Sequence, residues 1–517
     1  MRRLAAVTAV LILAGCPGPQ PTGTLPRSPA QPTAKPPGKP DAPEPPPPVV
    51  NADWDKSGID WSKPPTSGKP SDVQPPVPVR FTLSNGLAVM VVERPRLPIV
   101  SLELIVPHAG SQEDPAKLIG LAALTGDLMD EGAGRRDAIE LAAELERQGA
   151  DLGIGMRPDA ARVSLDSLAE TLDASLGLLA DVLVEPRLQP ADFDRIKRER
   201  LAALHRRRDR PASVAGLVID RVLFGGHVYA NPPSGYEATV GAISRDDAVD
   251  FWRRRWKPAG STLIVVGAVA ARDLKARLEA TLGRWHGGRP PGKPELRLPT
   301  AQPPRLVVVD RPGATQSAVL AGRILWRRDD PRIHALQVAN EALGGSFTSR
   351  LMQRLREQLG WTYGSSSYFW FGRGAATWTA EAQLDTPHTA EGVRELLEVI
   401  ETTRSAPPPA DELARARTLL IRQLPQELET NAGAAELLAG LVLEGLPIDW
   451  YRTRSAALAK VGARDVQAAA TAAWARDSLV VVVVGDLKRI RTGLLGLGLG
   501  PAIQVDPDGN LIGPFAP

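Results

Sequence analysis

The sequence predicts an α+β protein made of two homologous domains in tandem, each a mostly antiparallel sheet packed with helices. Strand-like and helix-like segments alternate irregularly in both halves, which argues against a regular βαβ fold. A valine-rich strand ending in glycine, LIVVGAV at 263–269, recurs 218 residues later as VVVVGDL at 481–487. The same spacing carries HVYANPPSGY, from 227, onto GLPIDWY, from 445. Two markers at one spacing indicate a duplicated domain.

The first half opens with a predicted hairpin. Residues 80–92 read RFTLSNGLAVMVV, with Asn85 and Gly86 as the turn between two alternating strands. Further strands are predicted from alternation and helices from periodicity and end signals. The strands are 100–106, 162–168 and 262–269, and the helices are 118–130, 138–148, 172–184, 191–208 and one ending at 251–256.

The second half repeats this order of segments. Its predicted strands are 306–310, 317–324, 365–371, 375–384 and 478–484, and its predicted helices are 331–343, 348–358, 390–403 and 410–429. We therefore predict an N-terminal domain at 79–288 and a C-terminal domain at 305–490. The proline-rich residues 289–304 are predicted to link them, and 491–517 to form a Gly/Pro-rich tail.

The N-terminus has the pattern of a lipoprotein signal peptide, predicted to span residues 1–15. Arg2 and Arg3 precede a short apolar run that ends in Leu-Ala-Gly-Cys, the form of a bacterial lipobox. Cys16 is then the lipidated first residue of the mature chain. The alternative is an ordinary signal with a chance cysteine. Cys16 is the chain's one cysteine, so no disulfide is expected.

Residues 16–78 contain 20 of the 49 prolines and are predicted to form an extended tether. A lipid anchor and tether place the folded part at the bacterial cell envelope, facing the periplasm. Pro17 is not the familiar acidic inner-membrane retention signal, which favours the outer membrane. The net charge of +3 gives no reason to expect a nucleic-acid partner.

The duplicated α+β halves and several motifs resemble the insulinase and mitochondrial-processing-peptidase family of zinc proteases. The motifs are SNGLAVMVVERPRLPIVSLELIV, GLAALTGDLMDEGAG, HVYANPPSG and LREQLGWTYGSSSY, and the resemblance covers nearly all of 79–487. It implies a two-domain subunit that pairs with a homologue, so that four domains enclose a chamber for unfolded peptides.

Active members of that family carry HxxEH on one helix and a distal glutamate about 75 residues later. Two histidines bind zinc and the glutamate between them activates water. Here Ala123 and Asp127 stand at the histidine positions and Gly126 at the general-base position. Aligning Glu199 with the family's earlier acidic residue puts the distal ligand position at Arg206. The alignment could slip by one residue, but no slip puts a histidine on this helix.

The resemblance also implies a site in the second half. Family members carry an arginine and a tyrosine seven residues apart, and in the paired enzymes these face the zinc of the opposite domain. Here they are Arg356 and Tyr363. The tyrosine hydroxyl can donate to the developing oxyanion, and the arginine can hold the tyrosine or the substrate backbone. The alternative is a solvated helix residue and a core aromatic.

Gly344 and Gly345 lie in the region that the family uses beside the substrate path, and a plain turn capped by Ser346 is equally compatible with them. Three aromatic residues follow on the next strands. They could line a peptide-binding wall, although ordinary packing is the better expectation: Tyr368, Trp370 and Trp378.

The main hypothesis is a subunit that binds no zinc itself and works with an HxxEH-bearing homologue whose zinc does the chemistry. It would form part of the chamber, contact unfolded peptides and supply Arg356 and Tyr363. The alternative is a stand-alone envelope pseudoprotease that binds peptides or acts as a scaffold. A relocated metal site has little support, because no two histidines are spaced as HxxH or HxxxH.

Overall fold

The computed structural model describes residues 68, 73–288 and 305–516. The predicted signal peptide, Cys16, almost all of the tether and the 289–304 linker lie outside these described residues. Within the described ranges, no helix is both long enough and apolar enough to cross a membrane.

The first domain contains a six-stranded sheet and a two-stranded ribbon. Its strands are β1 (Val79–Thr82), β2 (Ala88–Glu93), β3 (Ile99–Val106), β4 (Gly132–Ala133), β5 (Arg136–Asp137), β6 (Asp151–Met156), β7 (Ala161–Leu168) and β8 (Thr262–Gly267). Its helices are α1 (Leu121–Met129), α2 (Ala138–Arg147), α3 (Leu172–Val184), α4 (Pro190–Arg207), α5 (Pro211–Phe224), α6 (Glu237–Ala242), α7 (Arg245–Arg255) and α8 (Ala271–Thr281). The strand order of the main sheet is β1-β2-β8-β3-β7-β6.

The second domain contains a seven-stranded sheet. Its strands are β9 (Arg305–Asp310), β10 (Gln316–Leu325), β11 (Thr362–Phe371), β12 (Ala376–Asp385), β13 (Val480–Gly485), β14 (Ala502–Val505) and β15 (Leu511–Pro514). Its α-helices are α9 (Ile333–Asn340), α10 (Thr389–Ser405), α11 (Ala410–Glu427), α12 (Asn431–Glu444), α13 (Trp450–Lys460), α14 (Ala463–Ala473) and α15 (Leu487–Leu495). The strand order is β11-β12-β10-β13-β9-β14-β15.

The predicted duplication and fold class are confirmed. The spacing of 218 residues carries β8 onto β13, residue for residue. β8 lies between parallel β2 and antiparallel β3, and β13 lies between parallel β9 and antiparallel β10. All other pairings within the six-stranded sheet are antiparallel. The two sheets therefore share a five-strand core of the same order.

In each domain, one helix packs against the sheet of the other domain. α5, from the first half, packs on β10 and β13, and α12, its counterpart 218 residues later, packs on β3 and β8. Alternate valines of β13 consequently face different layers. Val481 and Val483 face the helices of their own domain, whereas Val480, Val482 and Val484 face α5. Burial on both faces explains why the strand is an unbroken apolar run.

The second domain extends beyond its predicted end at residue 490, and the predicted tail is part of the sheet. β14 pairs in parallel with β9, and β15 pairs with β14 across a turn that contains Gly509 at φ 80°. The segment between them, DPDGN, is a hairpin signal that its Gly/Pro-rich surroundings obscured. The hairpin turn also reaches the first half, because the backbone carbonyl of Asp508 accepts a hydrogen bond of 2.9 Å from Arg221.

Candidate functional site

The helix that carries the degenerate zinc motif is α1, and its N-terminus is capped by a buried carboxylate. Asp114 accepts hydrogen bonds of 2.8 Å from the backbone N–H groups of Gly120 and Ala122. These are donors that the helix itself leaves unpaired. Burial raises the pKa of Asp114 to about 7, although the two hydrogen bonds act in the opposite direction. This capping holds the start of α1, and hence Ala123, in the domain core.

The general-base position of the motif is closed by apolar side chains. Gly126 is buried, and a Cβ atom there would lie 3.1 Å from Cγ2 of Ile154 and 3.5 Å from Cε of Met156. Both neighbours belong to the edge strand β6. A glutamate at this position would therefore have to displace them, so the packing around α1 is adapted to glycine.

Asp127 is engaged by a cation from the facing helix. Its carboxylate forms an ion pair with the guanidinium of Arg200 on α4. A second ion pair joins α4 to the segment that follows α1, through Arg195 and Glu131. The predicted zinc-ligand position at Asp127 is thus part of a charge-paired contact between α1 and α4.

A cavity of about 390 Å³ lies beside Asp127 and Arg200, and Glu199, Ala203 and Arg207 of α4 also line it. Arg206 is exposed and is not among the residues that line this cavity. The assignment of Arg206 to the distal ligand position stays a prediction.

These residues do not fit a zinc ion. The side chains of Ala123, Gly126 and Ala203 have no ligand atoms. Two carboxylates line the cavity, and each is paired, Asp127 with Arg200 and Glu199 with Arg195. Over residues 73–288 and 305–516, no group of three or more His, Cys, Asp or Glu side chains is placed to hold a metal ion. His205, beside the predicted distal position, has a side chain that is 76% exposed and lies 3.7 Å from Glu237.

Tyr363 projects from the edge of the second sheet and is 89% exposed. The pairing of β11 with β12 is irregular between Thr362 and Ser365, which places Tyr363 and Gly364 in a β-bulge. The Thr362 hydroxyl fixes this bulge, because it donates to the carbonyl of Gly364 at 2.7 Å and accepts from its N–H at 3.1 Å. Bulges at sheet edges re-aim side chains, and this one presents a tyrosine hydroxyl to solvent.

Arg356 lies on a π-helical segment, Met352–Gln358, that leads into β11. Its guanidinium lies 4.7 Å from the ring centroid of Phe347, and its Nε lies 3.6 Å from the carboxylate of Glu357. Phe347 is itself 65% exposed. The aromatic face therefore orients Arg356. The sequence analysis did not single out Phe347. The available signal was an aromatic residue two positions after the glycine pair.

Gly344 and Gly345 end a second π-helical segment, Glu341–Gly345, which continues α9. A Cβ atom on Gly344 would lie 2.5 Å from Oγ of Ser367, so only glycine allows this close approach to β11. Asn340 secures the contact, since it donates to the carbonyl of Ser367 at 3.0 Å and accepts from its hydroxyl at 2.7 Å. The glycines have a packing role here, and their role in substrate binding stays a prediction.

A groove of about 560 Å³ lies between α5, the end of β6 and the β11–β12 region. Tyr368 and Trp370 line it, whereas Trp378 is fully buried against Trp474, at 5.0 Å between ring centroids. Asp220 of α5 also lines the groove. Desolvation in the groove raises the pKa of Asp220 to about 7, although the residue keeps solvent-exposed surface. Two of the three predicted aromatics thus face a space wide enough for a peptide.

Comparison with known proteins identifies the family. The insulinase (peptidase family M16) model matches residues 88–218, and the model of the peptidase M16 inactive domain matches residues 242–420. Together the two matches cover more than half of the chain. The chain belongs to the peptidase M16 family, with its two characteristic domains in tandem.

Two relatives and two solved structures illustrate the similarity. An uncharacterized zinc protease of Mycobacterium leprae is 28% identical over 288 residues, which are 55% of this chain and 64% of the relative, just under two thirds of its length. The non-peptidase homolog YmxG of Helicobacter pylori is 21% identical over 78% of this chain and 92% of its own.

A crystal structure of a peptidase M16 inactive domain from Pseudomonas fluorescens superposes with a TM-score of 0.74 and 25% identity, over 79% of this chain and 97% of that one. A chain of complex III2 from Candida albicans gives a TM-score of 0.68 at 17% identity over 80% and 97%, a likeness of fold alone. The non-peptidase homolog and the inactive-domain structure, together with residues that do not fit zinc, fit a non-catalytic member of the family.

Proposed function

We propose that this chain is the zinc-free subunit of a heteromeric M16 protease and supplies Arg356 and Tyr363 to the zinc site of a homologous partner. The observation that carries the proposal is the exposure of Tyr363 in a chain whose own predicted zinc-ligand positions do not fit a metal. The chain's own metal position holds the Asp127–Arg200 ion pair, while the tyrosine hydroxyl is held outward by a bulge and contacts no acceptor among the described residues.

In such a complex, the partner's zinc would activate the attacking water. Tyr363 would donate its hydroxyl proton in a hydrogen bond to the scissile carbonyl oxygen as negative charge develops there. Arg356, oriented by Phe347, would bind a backbone carbonyl of the peptide through its fork of donors. The two residues are not hydrogen-bonded to each other within the described part of the chain, so each would act on the substrate directly.

The first experiment is assembly. The chain is co-expressed with an HxxEH-bearing homologue from the same genome, ideally one encoded in a neighbouring reading frame, and the complex is isolated by size exclusion. We expect a stable heteromer that cleaves an unfolded peptide, with neither subunit active alone. Full activity of the HxxEH-bearing homologue without this chain would contradict the proposal.

The groove favours a second candidate, a stand-alone peptide-binding protein. Tyr368 and Trp370 offer aromatic surface to a bound chain, and Asp220 offers a carboxyl group without a hydrogen-bond partner among the described residues. The isolated protein would then bind unfolded peptides by itself. This candidate is tested by titrating a fluorescein-labelled unfolded peptide with the isolated wild-type protein and with Trp370→Ala. Binding by the wild type that Trp370→Ala weakens would favour it, whereas a subunit that binds only in the complex would show no binding by either protein.

We further propose that the chain is anchored in the bacterial envelope by lipid on Cys16 and faces the periplasm. The support is the signal-like N-terminus and the lipobox pattern in the sequence.

A further inference from the structure

A second cavity lies where equivalent hairpins of the two domains meet. It has a volume of about 200 Å³ and is lined by residues of both halves. The turn between β6 and β7 contributes Arg157, and the turn between β11 and β12 contributes Arg373. The two hairpins occupy corresponding places in the duplicated fold and are joined directly, since Oδ2 of Asp159 accepts a hydrogen bond of 2.9 Å from the backbone N–H of Arg373.

The carboxylates around this cavity already have partners. Glu436 lies 3.0 Å from a guanidinium nitrogen of Arg162, and both oxygens of Glu444 lie 2.8 Å from Nη1 of Arg328. The other oxygen of Asp159 accepts a hydrogen bond of 2.6 Å from the Tyr229 hydroxyl. The acidic side chains are therefore committed to other groups.

More arginine side chains than carboxylates line the cavity. Four arginines line the cavity against three carboxylates. Arg157 and Arg373 have no side-chain ion pair or hydrogen bond with any described residue. Arg157 acts only at longer range on Glu444, whose pKa is raised by burial and lowered in turn by Arg328 and Arg157. One unpaired guanidinium from each domain thus faces the same small space.

Arg328, a third arginine of the cavity lining, contains a buried donor. Nε of Arg328 is inaccessible to solvent and has no acceptor among the described residues. The rest of the guanidinium is paired with Glu444 and the Tyr451 hydroxyl, and its central carbon lies 5.3 Å from the ring centroid of Phe371 and 4.7 Å from that of Trp450. A buried donor without an acceptor is uncommon in native structures. Arg328 therefore adds a fixed positive charge beside the cavity, whereas Arg157 and Arg373 remain available to a ligand.

We propose that this cavity is an oxyanion-binding site that joins the two domains, with Arg157 and Arg373 as its principal ligands. Its volume suits a carboxylate or a phosphate with a few waters, since one water occupies about 30 Å³ in the liquid. It is too small for a folded partner. Arginine forks match both carboxylate and phosphate geometry.

The anion has two possible sources with this shared chemistry, a carboxylate of a peptide or free phosphate. The cavity and the peptide groove share Arg157 and Trp370 as lining residues, so a peptide in the groove has its end beside the arginines. The peptide source rests on the proposed function. The oxyanion chemistry rests on the cavity alone.

Calorimetric titration of the full chain tests the site without any partner subunit. One arm uses inorganic phosphate, and the other compares an unfolded peptide bearing a free C-terminal carboxylate with the same peptide as its amide. We expect saturable binding that Arg157→Gln and Arg373→Gln each weaken about 10-fold or more, because each removes charge-assisted hydrogen bonds. Arg272→Gln, at a side chain 86% exposed on α8, is the matched control and should bind as the wild type does.

Both variants change exposed residues, so thermal unfolding without anion should be unaltered. The anion should raise Tm of the wild type and of Arg272→Gln alike, and it should raise Tm of Arg157→Gln and Arg373→Gln less at the same anion concentration. Phosphate binding alone, or tighter binding of the free-carboxylate peptide, would each support the site and identify its source. The proposal would be overturned if neither phosphate nor either peptide bound. It would also be overturned if Arg157→Gln and Arg373→Gln bound the anion as tightly as the wild type does. Because no activity is measured, loss of the heteromer hypothesis would leave this result untouched.

Discussion

The carboxylate of Asp127, at a predicted zinc-ligand position, pairs with the guanidinium of Arg200 across the α1–α4 interface. The pair explains how the two helices stay together without a metal. It also removes the one acidic ligand that the degenerate motif keeps. The consequences can be measured separately from any activity.

The purified chain should contain no stoichiometric zinc and should cleave no peptide, because one neutralised carboxylate is not a site. Arg200→Ala should not change the zinc content, since it frees a single ligand. Elemental analysis and a chelator-controlled peptidase assay check both statements. One zinc per chain, with activity that a chelator abolishes, would refute them.

Arg200→Ala should lower the free energy of unfolding by up to about 1 kcal/mol, the range for partly exposed ion pairs. The side chain of Asp127 is 37% exposed, which limits the gain from pairing. Arg206→Ala, on the solvent side of the same helix, is the matched control and should have no comparable effect. Urea unfolding measures the free energy of unfolding of both variants. A larger loss for Arg206→Ala than for Arg200→Ala would contradict the stabilising role of the Asp127–Arg200 pair.

Tyr363→Phe should lower kcat of the assembled enzyme by roughly 10²–10³-fold, the usual effect of removing one oxyanion donor. Folding and assembly should not change, because the side chain is 89% exposed. Tyr368→Phe, on the same strand but with its hydroxyl 3.4 Å from Glu381, is the control and should keep most of kcat. Wild-type turnover by the Tyr363→Phe complex would leave this subunit as a wall of the chamber.

Phe347→Ala should reduce kcat/KM of the complex about as much as Arg356→Ala does, because the ring orients the guanidinium. Phe347→Trp keeps an aromatic face and should retain most of the activity. The double variant should lose less than the sum of the two single effects, since the residues act as a unit. Additive losses in steady-state kinetics would show that they act independently.

Cys16→Ala should release the protein from the membrane fraction or leave its signal uncleaved. The reason is that the lipobox cysteine is the only attachment point for lipid in the chain. Fractionation of cells expressing wild-type and variant protein, with metabolic labelling by a fatty-acid analogue, measures it. A wild-type protein already free in the periplasm would rule out the anchor.

Asp114 should make stability depend on pH. Burial raises its pKa in the folded state to about 7, above the unfolded value of about 3.9, so the folded protein holds the proton more tightly. Stability from this group is fully present below pH 4 and falls as pH rises towards 7, by up to roughly 1.4 kcal/mol per pH unit.

Asp114→Asn removes the titrating group and should flatten this part of the profile, while its amide oxygen can still cap α1. Asp246→Asn, at a side chain 93% exposed, is the control and should leave the profile as in the wild type. Urea unfolding at pH 4.5, 6 and 8 provides the measurement. Parallel profiles for wild type and Asp114→Asn would exclude the effect.

The duplication was readable from the sequence because strand composition is a local property. The runs at 263–269 and 481–487 are apolar whatever surrounds them, and their spacing fixes the correspondence of β8 with β13. The loss of the zinc motif was equally readable, since Ala123 and Gly126 have no ligand atoms in any fold. The tail at 502–514 was misread because its glycines and prolines mask two short edge strands.

Only the tertiary structure decided which side chains meet. Helix periodicity puts Arg200, Ala203 and Arg207 on one face of α4, but only the packing against α1 determines that Arg200 of this face pairs with Asp127. The exchange of α5 and α12 between the domains, and the placement of Arg157 and Arg373 around one cavity, bring together residues that are far apart in the sequence. Such contacts depend on how sheets and helices pack in space, and that information is not contained in any local segment of the chain.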